Sequence, residues 1–230
     1  MKKIFLILGL GLALTTTKAQ DENKGGFGVS ADIVSRYVFR GVDYGNSPAF
    51  QPTIEYSKGG FAIGAWGSYA FSSSSAGADA FQEADIYASY SFDFGLSLGV
   101  TDYYYPGSSW FELDDEVSSH AIELNLGYEI GNFSLAGNVA LNDSRAGAGE
   151  ENGVLYFEAG YAFKDFNFFV GGGDGWHVVS GDKGDFQVVN VGISTEKEIK
   201  ITESFSIPMF GMVFVNPNSE LYDIVVGISF

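Results

Sequence analysis

Cysteine is absent from all 230 residues, so no disulfide stabilises this chain. Histidine occurs only twice, which leaves transition metals almost no suitable ligands. Basic residues are also scarce: 12 stand against 29 acidic ones, for a formal charge of −17. Such an acidic excess repels phosphate backbones and argues against nucleic acid as a partner. After residue 19 no apolar run is long enough to cross a bilayer as a helix, so any entry into a membrane must be made by strands. What the chain does have is aromatic side chains, at 16%, and 31 glycines.

The first twenty residues, MKKIFLILGLGLALTTTKAQ, begin with Lys2 and Lys3, continue as an apolar run from Ile4 to Leu14, and end in small residues. This is the build of a secretory signal peptide, expected at 1–19 and cut after Ala19. The expected mature domain, 20–230, keeps nine basic residues against 29 acidic ones. It is exported and forms one domain.

Beyond the leader, about twelve runs alternate with period two, the mark of strands with two unlike faces. In the first, Phe27, Val29, Ala31, Ile33, Tyr37 and Phe39 share one parity, while Ser30, Asp32, Arg36 and Arg40 share the other. Phe50, Ile54 and Tyr56 likewise oppose Gln51, Thr53 and Glu55, and Ile122, Leu124 and Leu126 oppose Glu123, Asn125 and Gly127. Short connections at Lys58-Gly59-Gly60, around Gly95, at Gly131-Asn132, at Lys164-Asp165 and near Glu196 to Lys200 alternate with longer polar ones. An up-and-down meander with tight turns at one end and loops at the other is the layout of an outer-membrane β-barrel. Aromatics agree: Phe27, Tyr56, Phe61, Phe92, Phe133 and Phe163 lie on the oily face at the tight-turn end. A thinner belt of Phe39, Phe50, Tyr69, Phe71, Tyr104 and Tyr222 marks the other end.

The expected fold is therefore all-β, a transmembrane antiparallel up-and-down β-barrel of about twelve strands, because only closure pairs every backbone group in lipid. A lipocalin-like barrel with its oily face inward is rejected, since twelve strands would enclose an oversized greasy cavity. Twelve strands close at a backbone radius of roughly 12 Å. Inward side chains take up about half of this, and Trp66, Tyr87 and Tyr156 are large enough to narrow the passage. The polar parity assigns Asp32, Arg36, Arg40, Glu55, Glu83, Asp85, Glu123, Glu129 and Glu158 to the lumen.

The block VSRYVFRGVDYGNSPAFQPTIEYSKGGFAIGAWGSYAF, residues 34–71, resembles the TorF family of porins, also known under the Gcw_chp label. The likeness is carried by Ser35, Tyr37, Phe39-Arg40-Gly41, Pro48-Ala49-Phe50-Gln51, Gly60-Phe61 and Gly64-Ala65-Trp66-Gly67-Ser68. Arg36 departs from members with an acidic residue there. The resemblance implies an outer-membrane barrel with a channel role and assigns neither substrate nor catalytic residue.

Other motifs favour plain readings. Phe111-Glu112-Leu113-Asp114-Asp115-Glu116 has carboxylates but lacks the spacing and turn glycine of a calcium loop, and reads as solvated. Gly171-Gly172-Gly173-Asp174-Gly175 has no lysine or following helix to cradle phosphate. His120 and His177 lack a recognisable serine and carboxylate arrangement and read as an interfacial and a solvated histidine. The expected function is passive diffusion of small polar solutes, leaning towards cations, without catalysis or cofactor. The rival is a closed structural or adhesion barrel presenting acidic extracellular loops. The expected surroundings are the cell outer membrane, its lipid and lipopolysaccharide, and the barrel-assembly machinery engaging the terminal Phe230.

Overall fold

The computed structural model describes residues 25–73, 79–106, 109–114, 117–143, 153–203 and 205–230. The expected leader, Asp115 and Glu116 lie outside the described residues. Twelve strands form a closed barrel: β1 (Gly26–Val34), β4 (Ala49–Lys58), β5 (Phe61–Ala70), β6 (Gln82–Ser91), β7 (Leu96–Tyr104), β8 (His120–Ile130), β9 (Phe133–Ala140), β10 (Leu155–Phe163), β11 (Phe166–Gly173), β12 (Gln187–Lys200), β13 (Ser206–Asn216) and β14 (Leu221–Ser229). Two short strands, β2 (Val38–Phe39) and β3 (Val42–Asp43), form a separate hairpin. Each barrel strand is antiparallel to its neighbours, and β1 closes the cylinder on β14 through Asp32↔Ser229, Ile33↔Ile228 and Val34↔Gly227. Phe230 extends the seam, exchanging backbone hydrogen bonds with Ala31. No helix among the described residues is long and apolar enough to cross a membrane.

The alternation sorts outside from inside. On β8, Ile122, Leu124 and Leu126 are exposed on the outer wall, with Leu124 at 45%, whereas Glu123 is 1% exposed and Asn125 is buried. A soluble protein would invert this arrangement. Here lipid replaces water at the outer face, and the polar groups find partners within. Tight turns at one end follow the expected chemistry: Gly59, Gly131 and Lys164 all have positive φ, at 59°, 63° and 56°. Such values match the right-handed strand twist in two-residue hairpins.

Two expectations are corrected. The first strand does not run to Arg40; it ends at Val34, and residues 35–48 turn into the barrel. Tyr37 and Phe39, assigned to the lipid side by parity, are consequently buried inside, and Phe39 does not belong to an aromatic belt. The last tight turn lies beyond Lys200, where Ile201 and Thr202 donate backbone hydrogen bonds to the Phe205 carbonyl, because β12 continues as strand through Glu196 to Lys200. The triple glycine sits within β11, where a register shift between Gly171 and Gly172 skips Val189 of β12, a bulge that bends the wall.

Candidate functional site: the barrel interior

The β2–β3 hairpin crosses the lumen and touches strands around most of its circumference. Its tip is Arg40-Gly41, both with positive φ (51° and 82°), the conformation of a two-residue hairpin turn. Glycine at 41 is dictated by space as well as angle, since a Cβ there would lie 2.1 Å from the Val189 carbonyl oxygen. Asn216 on β13 donates a 3.0 Å hydrogen bond to the Gly41 carbonyl from the same side. Opposite, the Tyr37 ring packs 5.4 Å from Trp66 on β5, and Phe39 packs 5.7 Å from Tyr103 on β7. Val38 joins Phe169, Met212, Phe214 and Val225, inward residues of β11, β13 and β14. These apolar contacts give the segment a core of its own inside a polar cylinder.

Two arginines fasten it. Arg36, near the base, donates to Asp43 at 2.8 Å, to Asp223 of β14 at 2.6 Å and to Asn46 at 3.0 Å. This cluster is partly exposed, so solvent screens it. Arg40 is fully enclosed: Nη1 donates to Glu123 Oε2 at 2.7 Å and Nη2 to Oε1 at 2.8 Å. Its guanidinium also lies 4.5 Å from the ring centroids of Phe39 and Tyr156. Tyr103 and Asn125 donate to Glu123 Oε1 at 3.0 and 2.7 Å. A buried ion pair needs this many hydrogen bonds to offset its desolvation.

The remaining lumen candidates occupy several environments. Glu83 and Asp85 are buried on β6; Glu83 receives hydrogen bonds from Tyr37 and Tyr105, while its Oε1 and the Asp85 Oδ1 have no partner among the described residues. Glu55 accepts from Tyr87 at 2.9 Å, and Glu158 accepts from Tyr156 at 2.6 Å and Asn190 at 3.2 Å. Asp32 is hydrogen-bonded by Ser229 across the seam. Glu129 shares the parity of Glu123 but is exposed at the tight-turn end. Between that end and the hairpin the inner wall is small and half-accessible, carrying Ser30, Ser89, Ser97, Gly99, Gly127 and Ser134. The interior is thus packed at one level and roomier at another.

Both histidines are buried, unlike the interfacial reading of His120 and the solvated reading of His177. His177, in a 3-10 turn at Gly175–His177, is buried against Tyr156, Phe39 and Trp176. Burial, and then the Arg40 charge, hold its pKa well below the ordinary value. Arg40 Nη1 approaches its Nε2 at 3.4 Å, so this nitrogen accepts and the ring is neutral. His120 keeps the outward parity but is enclosed by Tyr104 and Trp110, with Nδ1 2.9 Å from Asp102 and Nε2 2.9 Å from the Trp110 carbonyl oxygen. A carbonyl can only accept, so Nε2 carries a proton and is not free to act as a base. Among the described residues no group of three or more metal-binding side chains occurs.

The inward roles of Tyr37, Phe39 and Tyr103 were not assigned from sequence, whereas parity had set Asn125 on the polar face with Glu123. Arg-Gly between apolar residues is a weak hairpin signal beside Asn-Gly or Asp-Gly, and only the following Asp43 to Pro48 stretch carries ordinary turn chemistry.

The structure therefore defines a transmembrane β-barrel with an in-folded segment. The family model described as "Bacterial protein of unknown function (Gcw_chp)" matches residues 20–209, and the chain belongs to that family. No curated protein matches the sequence. Among solved structures, a mutant of the Rh. blastica porin is similar at 15% identity and a TM-score of 0.41, over 79% of this chain and 55% of the porin. The chain thus spans about half the length of that protein. The outer membrane phospholipase (OMPLA) of Salmonella typhi, crystallised as a dimer with bound calcium, is similar at 11% identity over 87% of both chains, with a TM-score of 0.39. Outer membrane phospholipase A from Escherichia coli gives 12% identity, a TM-score of 0.38 and coverage of 87% and 92%.

Proposed function

We propose that the protein is a porin-like channel of the bacterial outer membrane, of the TorF type, admitting small polar solutes by passive diffusion and favouring cations. The supporting observation is the polar inner wall, where acids on β1, β4, β6, β8, β10 and β14 outnumber the basic groups. Rings of carboxylates of this kind raise the local concentration of cations and select for them. The half-accessible Ser and Gly wall supplies room at the tight-turn end. Conduction requires the β2–β3 hairpin to move, so openings are brief in the native chain and steady once the hairpin is replaced.

The second reading is a closed structural or adhesion barrel, favoured by the fully enclosed Arg40–Glu123 pair. We assign no reaction to the protein, since His120 has both ring nitrogens engaged. Its expected surroundings are outer-membrane lipid and lipopolysaccharide, with the exposed Phe230 at the barrel seam available to the assembly machinery.

Planar-bilayer recordings separate the two readings. Native protein should show rare steps, and a variant with residues 36–46 replaced by a Gly-Ser linker should show long ones whose reversal potential indicates cation preference. A folded variant that stays silent removes the channel reading.

A further inference from the structure

The pocket around Glu123 has the chemistry of a recognition site, and Arg40 occupies it. The guanidinium meets the carboxylate fork to fork, 2.7 and 2.8 Å apart. Two parallel charged hydrogen bonds of this kind suit a planar guanidinium; an ammonium presents a single point charge and cannot reproduce them. One wall, the Phe39 ring, rides on the hairpin with Arg40; the others belong to the barrel and to the turn that carries His177. Tyr103 and Asn125 orient Glu123, and Asn138 accepts from Asn125 at 3.0 Å. The Tyr156 ring, 4.5 Å from the guanidinium carbon, offers its π-face. These residues stand on β7, β8, β9 and β10, and Tyr156 is held in turn by Glu158.

The occupant is carried on a less comfortable support. Arg40 has a φ of 51°, a left-handed conformation that an ordinary side chain disfavours and that persists where surrounding contacts impose it. A rigid wall pocket filled by a side chain on a strained turn is the arrangement of a built-in competitor.

We infer that Glu123, Tyr103, Asn125 and Tyr156 form a binding site for small guanidinium-bearing solutes, which Arg40 fills while the β2–β3 hairpin is folded in. A guanidinium solute competes with Arg40 for the Glu123 carboxylate and thereby favours the withdrawn hairpin. Because a tethered group acts at an effective concentration of the order of millimolar or above, such solutes work from about that range. The transport consequence rests on the channel reading; the binding site does not.

The test has two arms. In the first, the Arg40→Ala barrel is refolded in detergent and its thermal midpoint is titrated with methylguanidinium chloride or methylammonium chloride. Methylguanidinium should stabilise it with an apparent affinity at least about tenfold tighter than methylammonium, and Arg40→Ala/Glu123→Gln should lose the effect. Equal responses, or none, overturn the site. Should Arg40→Ala fail to fold, Arg40→Lys keeps the charge without the fork, and the same titration is read the same way. In the second arm, the native barrel in a planar bilayer receives each salt in turn, and only methylguanidinium should lengthen its openings. Binding without any current leaves the site standing and removes the channel.

Discussion

Arg40 and Glu123 lie 83 positions apart in sequence and meet through two hydrogen bonds in the middle of the barrel, with less than 2% of either side chain exposed. This contact ties the tip of an in-folded hairpin to β8.

Glu123→Gln leaves a guanidinium charge buried opposite a neutral amide. Removing one partner of such a pair costs about 3–5 kcal/mol. Urea unfolding in detergent micelles, followed by tryptophan fluorescence, should show a loss of this size.

Asp223→Asn makes the informative contrast. Arg36 is 29% exposed and keeps Asp43 and Asn46, so the loss should stay below about 1 kcal/mol in the same experiment. Equal costs for the two variants would place the fastening of the segment at its base.

Gly41→Ala combines a positive φ with a Cβ 2.1 Å from the Val189 carbonyl oxygen. Gly59→Ala has a positive φ with nothing within 4 Å. The first should lower the unfolding midpoint clearly more than the second, whose cost is limited to about 1 kcal/mol of backbone preference.

His177 gives a pH signature. Its folded pKa is depressed by burial and by Arg40, so the unfolded chain binds a proton at a pH where the folded chain does not. The contribution of the neutral ring is complete above the unfolded value, near 6.5, and falls by up to about 1.4 kcal/mol per pH unit below it. Carboxylates titrate in overlapping ranges, so the measurement is a difference: His177→Gln should remove this component between pH 6.5 and 5, flattening the stability curve relative to the native protein.

On the outer wall, Leu124→Arg places a charge near the middle of β8 in lipid. The expected cost is about 2–4 kcal/mol in vesicle-based folding titrations, or failure to insert.

Barrel strands were legible because their signal is local. On most strands an outward Ile, Leu or Phe alternates with an inward polar or small residue, as on β8, and the turns at Gly59, Gly131 and Lys164 announce where the chain reverses. Glu83, Asp85 and Glu123 could be given their inward side from parity alone. The same rule failed at Tyr37 and Phe39, because the alternation of SRYVFRG continues after the strand has stopped at Val34. Parity tells which side chains share a face only while the backbone stays extended, and the break at Ser35 has no glycine or proline to mark it.

Composition and periodicity determined the closed cylinder, its outward apolar wall and the preference of its interior for polar groups, since lipid admits no unpaired strand edge. Only the tertiary structure decided what fills that interior. The contacts of Arg40 with Glu123, Tyr156 and His177 join segments brought near one another by closure, and their energies depend on distances across the lumen that no local pattern encodes.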